Sequence, residues 1–152
     1  YNIVELREDI GKILGLDHWY KNVLFGAGNL GKAIATHMNF SEYGCDLVGI
    51  FDSDLRKENE KVADLNIMPI GKLEEFFEAV HPQIAILCIP KSSAQELADK
   101  LISLGIKAFW NFSHYDLKVT HKDIVVENVH LGDSIMMLSY SLTNSHKDDE
   151  EE

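Results

Sequence analysis

The sequence has few cysteines, which form the disulfides of small secreted proteins, and it has no long apolar run of the kind that spans a membrane. Only two cysteines, Cys45 and Cys88, occur in 152 residues, and they form no Cys-x-x-Cys pair. This excludes a disulfide-rich scaffold and favours buried thiols in a reducing compartment. No apolar run approaches the roughly 18 residues that span a bilayer, and the N-terminal segment carries charges where a signal peptide would be apolar. We therefore expect a cytoplasmic protein.

Basic residues are scarce as well, with 14 Lys and Arg against 25 Asp and Glu, which gives a formal net charge of −11. Residues 148–152 are all acidic, but the rest of the chain still carries a charge of −6 without them. Nucleic-acid binders draw much of their affinity from Lys and Arg placed against phosphates. We therefore expect no direct contact between this segment and DNA.

The sequence is rich instead in apolar residues. Short continuous apolar runs alternate along the chain with segments in which apolar residues recur at helical spacing. Its 45% hydrophobic and 26% charged residues are typical of one globular domain with its own core. Short apolar runs predict strands at residues 22–25, 47–51, 67–70, 84–89, 107–110 and 124–129. Apolar residues at helical spacing predict helices near residues 3–13, 30–38, 73–80, 92–104 and 131–143. The polar segment 53–66 is expected to be a loop or a short helix.

Strands that alternate with helices favour an α/β fold, here a Rossmann-like parallel sheet with helices on both faces. We expect one domain over residues 1–143, followed by a disordered acidic tail at 144–152. Ser92 and Ser93 each precede a Gln or Glu by three residues, which predicts a capping box for the helix near 92–104, and Gly105 is placed to end that helix. Asn2 and Glu5 have the same spacing at the first predicted helix.

A glycine motif lies between the first predicted strand and its helix. Gly26, Gly28 and Gly31 have Gly-x-Gly-x-x-Gly spacing. In a dinucleotide-binding turn the first glycine allows a tight turn, the second lets the backbone approach a diphosphate, and the third lets the helix pack on the sheet. The helix N-terminus then presents N–H groups and partial positive charge to the phosphates. An ordinary tight turn is the alternative for this pattern.

An acidic residue follows at the distance that such a site requires. Asp52 lies 21 residues after Gly31, at the end of the next predicted strand, where a carboxylate can accept hydrogen bonds from the adenosine ribose. A carboxylate there would also repel a 2′-phosphate, which favours NAD(H) over NADP(H), although Arg56 and Lys57 act in the opposite direction. A solvated residue that begins a turn is the alternative for Asp52.

Signatures of catalysis and of metal binding are missing from the sequence. We find no phosphate loop with Lys and Ser or Thr, no nucleophile elbow around a serine, and no His or Cys spacing typical of a metal site. Surface positions account for His114, His121 and His130, although His114, just beyond a strand, is a candidate base if the protein transfers hydride. We therefore expect a binding protein that is not an enzyme.

Beyond these individual signals, the chain resembles the redox-sensing transcriptional repressor family Rex, in its NAD(H)-binding domain and C-terminal helix. The residues that carry the resemblance are Tyr1-Asn2-Ile3, the motif from Gly26 to Gly31, Phe51-Asp52, Ala85-Ile86-Leu87 with Pro90, Gly105-Ile106-Lys107, Asn111-Phe112 and Val125-Val126-Glu127-Asn128-Val129. The resemblance implies a homodimeric sensor that binds NADH and NAD⁺ competitively and releases operator DNA when NADH binds. It also implies that DNA is bound by an N-terminal winged-helix domain that is not present in this chain.

By matching position, the resemblance also implies the residues of the cofactor site. The diphosphate would be held by Gly26, Ala27, Gly28, Asn29, Leu30 and Gly31, the ribose by Asp52, and the nicotinamide end would be flanked by Cys88, Ile89, Pro90, Asn111 and Phe112. The helix at about 131–143 would be a dimerisation helix that packs into the partner subunit, with a plain core helix as the alternative.

The chain departs from the family pattern at Cys88, at Ser113-His114, at His130 and at Ser134-Ile135-Met136. Two other functions therefore compete with the sensor. One is the cofactor-binding part of an NAD-dependent dehydrogenase or epimerase that lacks its substrate domain, and the other is a dimerisation module that binds no dinucleotide.

Overall fold

The computed structural model describes residues 19–118 and 121–151. The predicted helix near residues 3–13 lies outside this part of the chain. The described residues contain seven strands: β1 (Tyr20–Phe25), β2 (Cys45–Asp52), β3 (Lys61–Val62), β4 (Leu65–Pro69), β5 (Ile84–Leu87), β6 (Ala108–Asn111) and β7 (Val125–Asn128). The same ranges contain four α-helices: α1 (Asn29–His37), α2 (Leu73–Val80), α3 (Lys91–Ser103) and α4 (Leu131–Glu151).

The strands form one sheet in the order β3-β4-β2-β1-β5-β6-β7. Every neighbouring pair is parallel except β3 and β4, which are antiparallel. The strand order reverses at β1, because the chain moves from β1 to β2 on one side and later returns to place β5 on the other. This is a Rossmann-like sheet, and the predicted fold class is confirmed.

Two apolar clusters cover the two faces of the sheet, as the alternation of side chains along each strand requires. On one face, Val23 and Phe25 of β1 pack in a cluster with Leu73 of α2 and Leu101 of α3. On the other face, Leu24 of β1 lies in a cluster with Ala35 of α1. The predicted helices on both faces are therefore present. The sheet packed between them supports the loops at its edges.

The segment 53–66 contains a strand that the sequence analysis missed. The chain makes a 3₁₀ turn at Leu55–Lys57, then a short hairpin in which β3 pairs with the start of β4. The two residues that connect these strands, Ala63 and Asp64, both have positive φ, at 50° and 66°. A two-residue turn of this kind usually contains Asn-Gly or Asp-Gly. Because Ala-Asp occupies it here, the hairpin has no signal in the sequence.

Two local predictions at helix termini are wrong, and one is confirmed. Helix α3 begins at Lys91 directly after Pro90, with no side-chain cap, so Ser92 and Ser93 lie inside its first turn and form no capping box. Proline holds its own backbone extended and in this way sets the start of the helix. Gly105, at φ +108°, follows the end of α3 as predicted.

The C-terminal helix is longer than the sequence analysis predicted. Helix α4 begins at Leu131 as expected but continues to Glu151, so the expected disordered tail is helical over the described residues. After Gly132 the sequence contains neither Gly nor Pro, and nothing in its residue types breaks the helix near residue 143. Within the described ranges, no helix combines the length and the apolar character that crossing a bilayer requires.

Shortening a core side chain of α3 should destabilise the fold. Leu101 is completely buried against the sheet, and Leu101→Ala should lower the free energy of unfolding by about 2–5 kcal/mol through lost burial and a residual cavity. Urea denaturation followed by circular dichroism measures this change. Leu55, which is 70% exposed, is the matched control, and equal losses for Leu55→Ala and Leu101→Ala would contradict the proposed core.

Candidate functional site

A cavity of about 710 Å³ opens at the carboxyl ends of β1, β2 and β5. This is the edge of the sheet where the strand order reverses, which is where open α/β sheets bind their ligands. The loop after β1, the end of β2, the segment after β5 and one face of α3 form its walls. The lining residues are Phe25, Gly26, Gly28, Phe51, Asp52, Ser53, Lys57, Ile70, Cys88, Ile89, Pro90, Ser93, Glu96, Leu97 and Lys100.

Two glycines of the motif are required by close backbone packing. Gly26 has φ +97°, and a Cβ at this position would collide with the carbonyl of Cys88 on the neighbouring strand end. A Cβ at Gly31 would collide with the carbonyl of Gly26, because α1 begins directly above the turn. These contacts bring the loop, β5 and the start of α1 into one compact unit.

The middle glycine has a different environment. A Cβ at Gly28 would meet no atom within 4 Å, so the loop faces open space there, beside the start of α1. The first N–H groups of a helix have no partner within the helix, and the first turn of α1 carries no acidic side chain. The arrangement leaves room and positive potential for an anionic group, which fits the predicted diphosphate position.

Asp52 connects the end of β2 to the glycine loop. Its Oδ2 accepts a hydrogen bond from the N–H of Ala27 at 2.8 Å, and its Oδ1 accepts one from the N–H of Asp54 at 2.8 Å. The ammonium of Lys57 lies 3.5 Å from Oδ2 and donates to the carbonyl of Ala27 at 3.2 Å. Asp52 therefore orients the loop, and it keeps spare acceptor capacity, because a carboxylate has about four lone-pair sites.

The two cations that weakened the cofactor prediction are both engaged. The Arg56 guanidinium donates to the carboxylate of Asp54 through Nε and Nη2, each at 3.1 Å, and these bonds hold the pKa of Asp54 below its usual value. Lys57 is held between Asp52 and the Ala27 carbonyl. Arg56 is thus paired with Asp54, whereas Lys57 lies against the Asp52 carboxylate and offsets part of its charge.

Helix α3 contributes a wall that the sequence analysis did not assign to the site. Ser93, Glu96, Leu97 and Lys100 line the cavity, and Ile70 lies in its lining as well. Their spacing of three, one and three residues places the four α3 side chains on one helical face. This stripe was the available signal, but the sequence analysis predicted only a helix near residues 92–104 and no contact of that helix with the site.

The segment after β5 contributes three predicted site residues to the cavity: Cys88, Ile89 and Pro90. The other predicted residues of the glycine loop, Ala27, Asn29, Leu30 and Gly31, are not among the residues that line it, and neither are Asn111 and Phe112. Their contacts with a cofactor stay predictions.

Asn111 has a structural function that the sequence did not reveal. It is 2% exposed, and its amide nitrogen donates to the carbonyl of Tyr115 and to the Oδ1 of Asn128, at 2.7 and 2.9 Å. Its Oδ1 accepts from the N–H and the hydroxyl of Ser113.

Phe112 packs edge-on against Trp110, with ring centroids 4.7 Å apart. His114, the candidate base, is not among the cavity-lining residues, and its Nδ1 lies 3.4 Å from the Nδ1 of His130.

Burial disfavours the thiolate of Cys88 in the cavity wall. It raises the pKa of Cys88 to about 12, so the thiol is protonated at pH 8. We expect iodoacetamide to alkylate Cys88 at least a hundredfold faster in urea than in the folded chain, roughly as its thiolate fraction recovers. Mass spectrometry of peptides locates the label, and rapid labelling of folded Cys88 at pH 8 would contradict this environment.

Comparison with known proteins gives a family-model match and several sequence relatives. Residues 18–115 match the family model described as CoA binding domain. The redox-sensing transcriptional repressor Rex of Caldanaerobacter subterraneus subsp. tengcongensis is 51% identical over 142 residues, which are 93% of this chain and 63% of that protein. Rex of Clostridium perfringens strain SM101 is 44% identical over 145 residues, 95% of this chain and 68% of that protein. The chain therefore spans less than two thirds of the first of these relatives.

The solved structures that resemble this chain include a member of the same family as the sequence relatives. RSP, a Rex-family repressor, matches in its complex with β-NADH, with 44% identity and a TM-score of 0.82 over 100% of this chain and 73% of that one. It also matches in its complex with β-NAD⁺ and operator DNA, with 45% identity and a TM-score of 0.80 over 99% of this chain and 69% of that one. By sequence and by structure, this chain belongs to the Rex family of redox-sensing transcriptional repressors.

Proposed function

We propose that this chain is the NAD(H)-binding domain of a repressor that responds to the ratio of NADH to NAD⁺. The observation that carries the proposal is the glycine loop, which is open at Gly28 and anchored to Asp52 at the point where the strand order reverses. The Rex relatives are named for redox sensing, and the RSP structures contain β-NADH or β-NAD⁺. Geometry and relatives thus support the same ligand.

The residues present suit each part of the dinucleotide. The diphosphate lies against the backbone of Gly26 to Gly31, where no side chain intervenes at Gly28. The Asp52 carboxylate accepts hydrogen bonds from the adenosine ribose, and Ile70 and Leu97 provide apolar walls for adenine. The nicotinamide end lies toward the ends of β5 and β6, with Cys88, Ile89, Pro90, Asn111 and Phe112 as its proposed neighbours.

Sensing requires a difference in binding rather than a reaction. Reduction removes the positive charge and the strict planarity of the nicotinamide ring, so the two cofactor forms interact differently with one site. A ligand shifts a two-state equilibrium only by its difference in affinity for the two states, and no turnover is needed. We therefore infer a regulator that is not an enzyme. The two free cysteines support a cytoplasmic location.

Substitution of Asp52 should weaken dinucleotide binding. Asp52→Ala removes the charged acceptor for the ribose and should cost about 1.5–3 kcal/mol, roughly 10- to 150-fold in Kd. Titration of NADH fluorescence, with NAD⁺ as competitor, measures both affinities. Asp46→Ala is the matched control, because Asp46 is an exposed acid at the opposite end of the same strand.

A second variant separates ligand contact from loop support, since Asp52 also holds the loop through Ala27. Gly28→Ala meets no atom within 4 Å, so it should leave the melting temperature unchanged while its methyl group obstructs the diphosphate. Unaltered NADH affinity in both Asp52→Ala and Gly28→Ala would exclude the proposed site. Absence of NADH binding by the parent chain would leave the dimerisation module as the better function.

We also infer that the chain is a homodimer through α4. Leu131, Ile135, Leu138 and Leu142 occur at spacings of four, three and four residues and lie on one face of the helix, yet all are 49–64% exposed. A stripe of this kind in a helix of 21 residues is expected to be covered, and a second copy offers an identical stripe. Operator DNA is proposed to contact the protein only outside this acidic segment, through a winged-helix domain.

A charge within this stripe should disrupt the dimer. Leu138→Glu places a carboxylate at the centre of the apolar face and should convert the dimer to monomer at micromolar concentration, as measured by light scattering after size-exclusion chromatography. Asn144→Glu, on the opposite face of α4, is the control and should leave the mass unchanged. A parent chain that is monomeric at every concentration would refute the dimer proposal.

A further inference from the structure

Two histidines that neither the cavity nor the proposed dimer uses lie close together beyond the ends of β6 and β7. His114 lies in the turn after β6, and His130 immediately precedes α4. Their Nδ1 atoms are 3.4 Å apart, while their ring centroids are 5.5 Å apart and the rings are tilted by 39°. The rings therefore approach through their Nδ1 edges and do not stack face to face.

A direct hydrogen bond at this contact would be long. The separation exceeds the usual range for a bond donated by N–H, and one Nδ1 would have to carry a proton while the other presents its lone pair. If both protons are on Nε2, two lone pairs point toward the same space. That arrangement is stabilised by a cation that accepts both lone pairs.

The distance agrees with the geometry of tetrahedral zinc. With Zn–N bonds of about 2.0–2.1 Å, two nitrogens on one tetrahedral ion are about 3.3–3.4 Å apart. We propose that His114 and His130 bind one Zn²⁺ ion through their Nδ1 atoms. Water completes the coordination, because the described residues contain no group of three or more His, Cys, Asp or Glu that could hold a metal.

The surrounding structure holds both ligands in place before a metal arrives. Asn111 bonds Ser113 and Tyr115, the two neighbours of His114, and it also bonds Asn128, two residues before His130. One buried side chain thus fixes the turn that carries His114 to the strand end that carries His130. His114 itself has φ +61°, an unfavourable conformation for a residue other than glycine, and this network maintains it.

The metal would join the turn after β6 to His130, the residue directly before α4. The described side chains of α4 are exposed, and none belongs to either core cluster, so this link restrains a helix that little else holds against the sheet. The inference does not depend on the dinucleotide site, because neither histidine lines the cavity.

Titration of the chain with ZnCl₂ against a chromophoric chelator tests the site. We expect one ion per chain, and we expect His114→Asn and His130→Asn each to weaken binding about tenfold or more. Asparagine is chosen because it tolerates the positive φ at position 114. His121→Asn is the matched control, an exposed histidine in the same region, and it should bind zinc as the parent does.

A second measurement identifies the ligating atoms. In ¹⁵N spectra of the imidazoles, zinc should shift the Nδ1 signals of two rings, and those signals should be the ones missing from His114→Asn and His130→Asn. Melting temperatures equal to that of the parent exclude misfolding as the cause of weaker binding. Zinc affinity unchanged in both variants, equal loss in His121→Asn, or no binding at millimolar zinc would overturn the proposal.

Discussion

The fold and its candidate site depend on the backbone of the glycine loop being held between two neighbouring strand ends. On one side, Gly26 lies so close to the Cys88 carbonyl that no side chain fits. On the other, the Asp52 carboxylate accepts the Ala27 N–H at 2.8 Å. The loop is therefore preorganised before a ligand binds, which reduces the entropic cost of ordering the loop on binding. Between these anchors and the start of α1, the loop has open space at Gly28, where a Cβ would meet no atom within 4 Å.

Two regions of the molecule meet different physical requirements. Helices α1, α2 and α3 cover both faces of the sheet, so the apolar side chains of the sheet are buried within one chain. The apolar side chains of α4 are not buried in this way. They are exposed along the described length of the helix, and association with a second chain would cover them. Burial of the sheet and the proposed association through α4 thus rest on separate elements.

The junction between the sheet and α4 is built around Asn111. A buried amide with every hydrogen bond made is costly to disturb, and here it unites the end of β6, the turn after it and the end of β7. This is the edge of the sheet toward which the nicotinamide is proposed to point. His114 and His130, two of the positions where the chain departs from the family pattern, lie on either side of this network.

Apart from β3, the sequence by itself determined the alternation of strands and helices, the parallel sheet and the glycine loop with Asp52, because these rest on local periodicity and on spacing along the chain. It also indicated α4 but not its length, since residue types there permit a helix without requiring one. Tertiary structure decided the rest. The hairpin at Ala63-Asp64 lacks the usual turn residues, and α3 supplies Ser93, Glu96 and Lys100 to the cavity only because β5 lies beside β1. The bond from Asn111 to Asn128 and the approach of His114 to His130 join residues 17 and 16 positions apart, and contacts between such distant positions produce no periodic pattern in a single sequence.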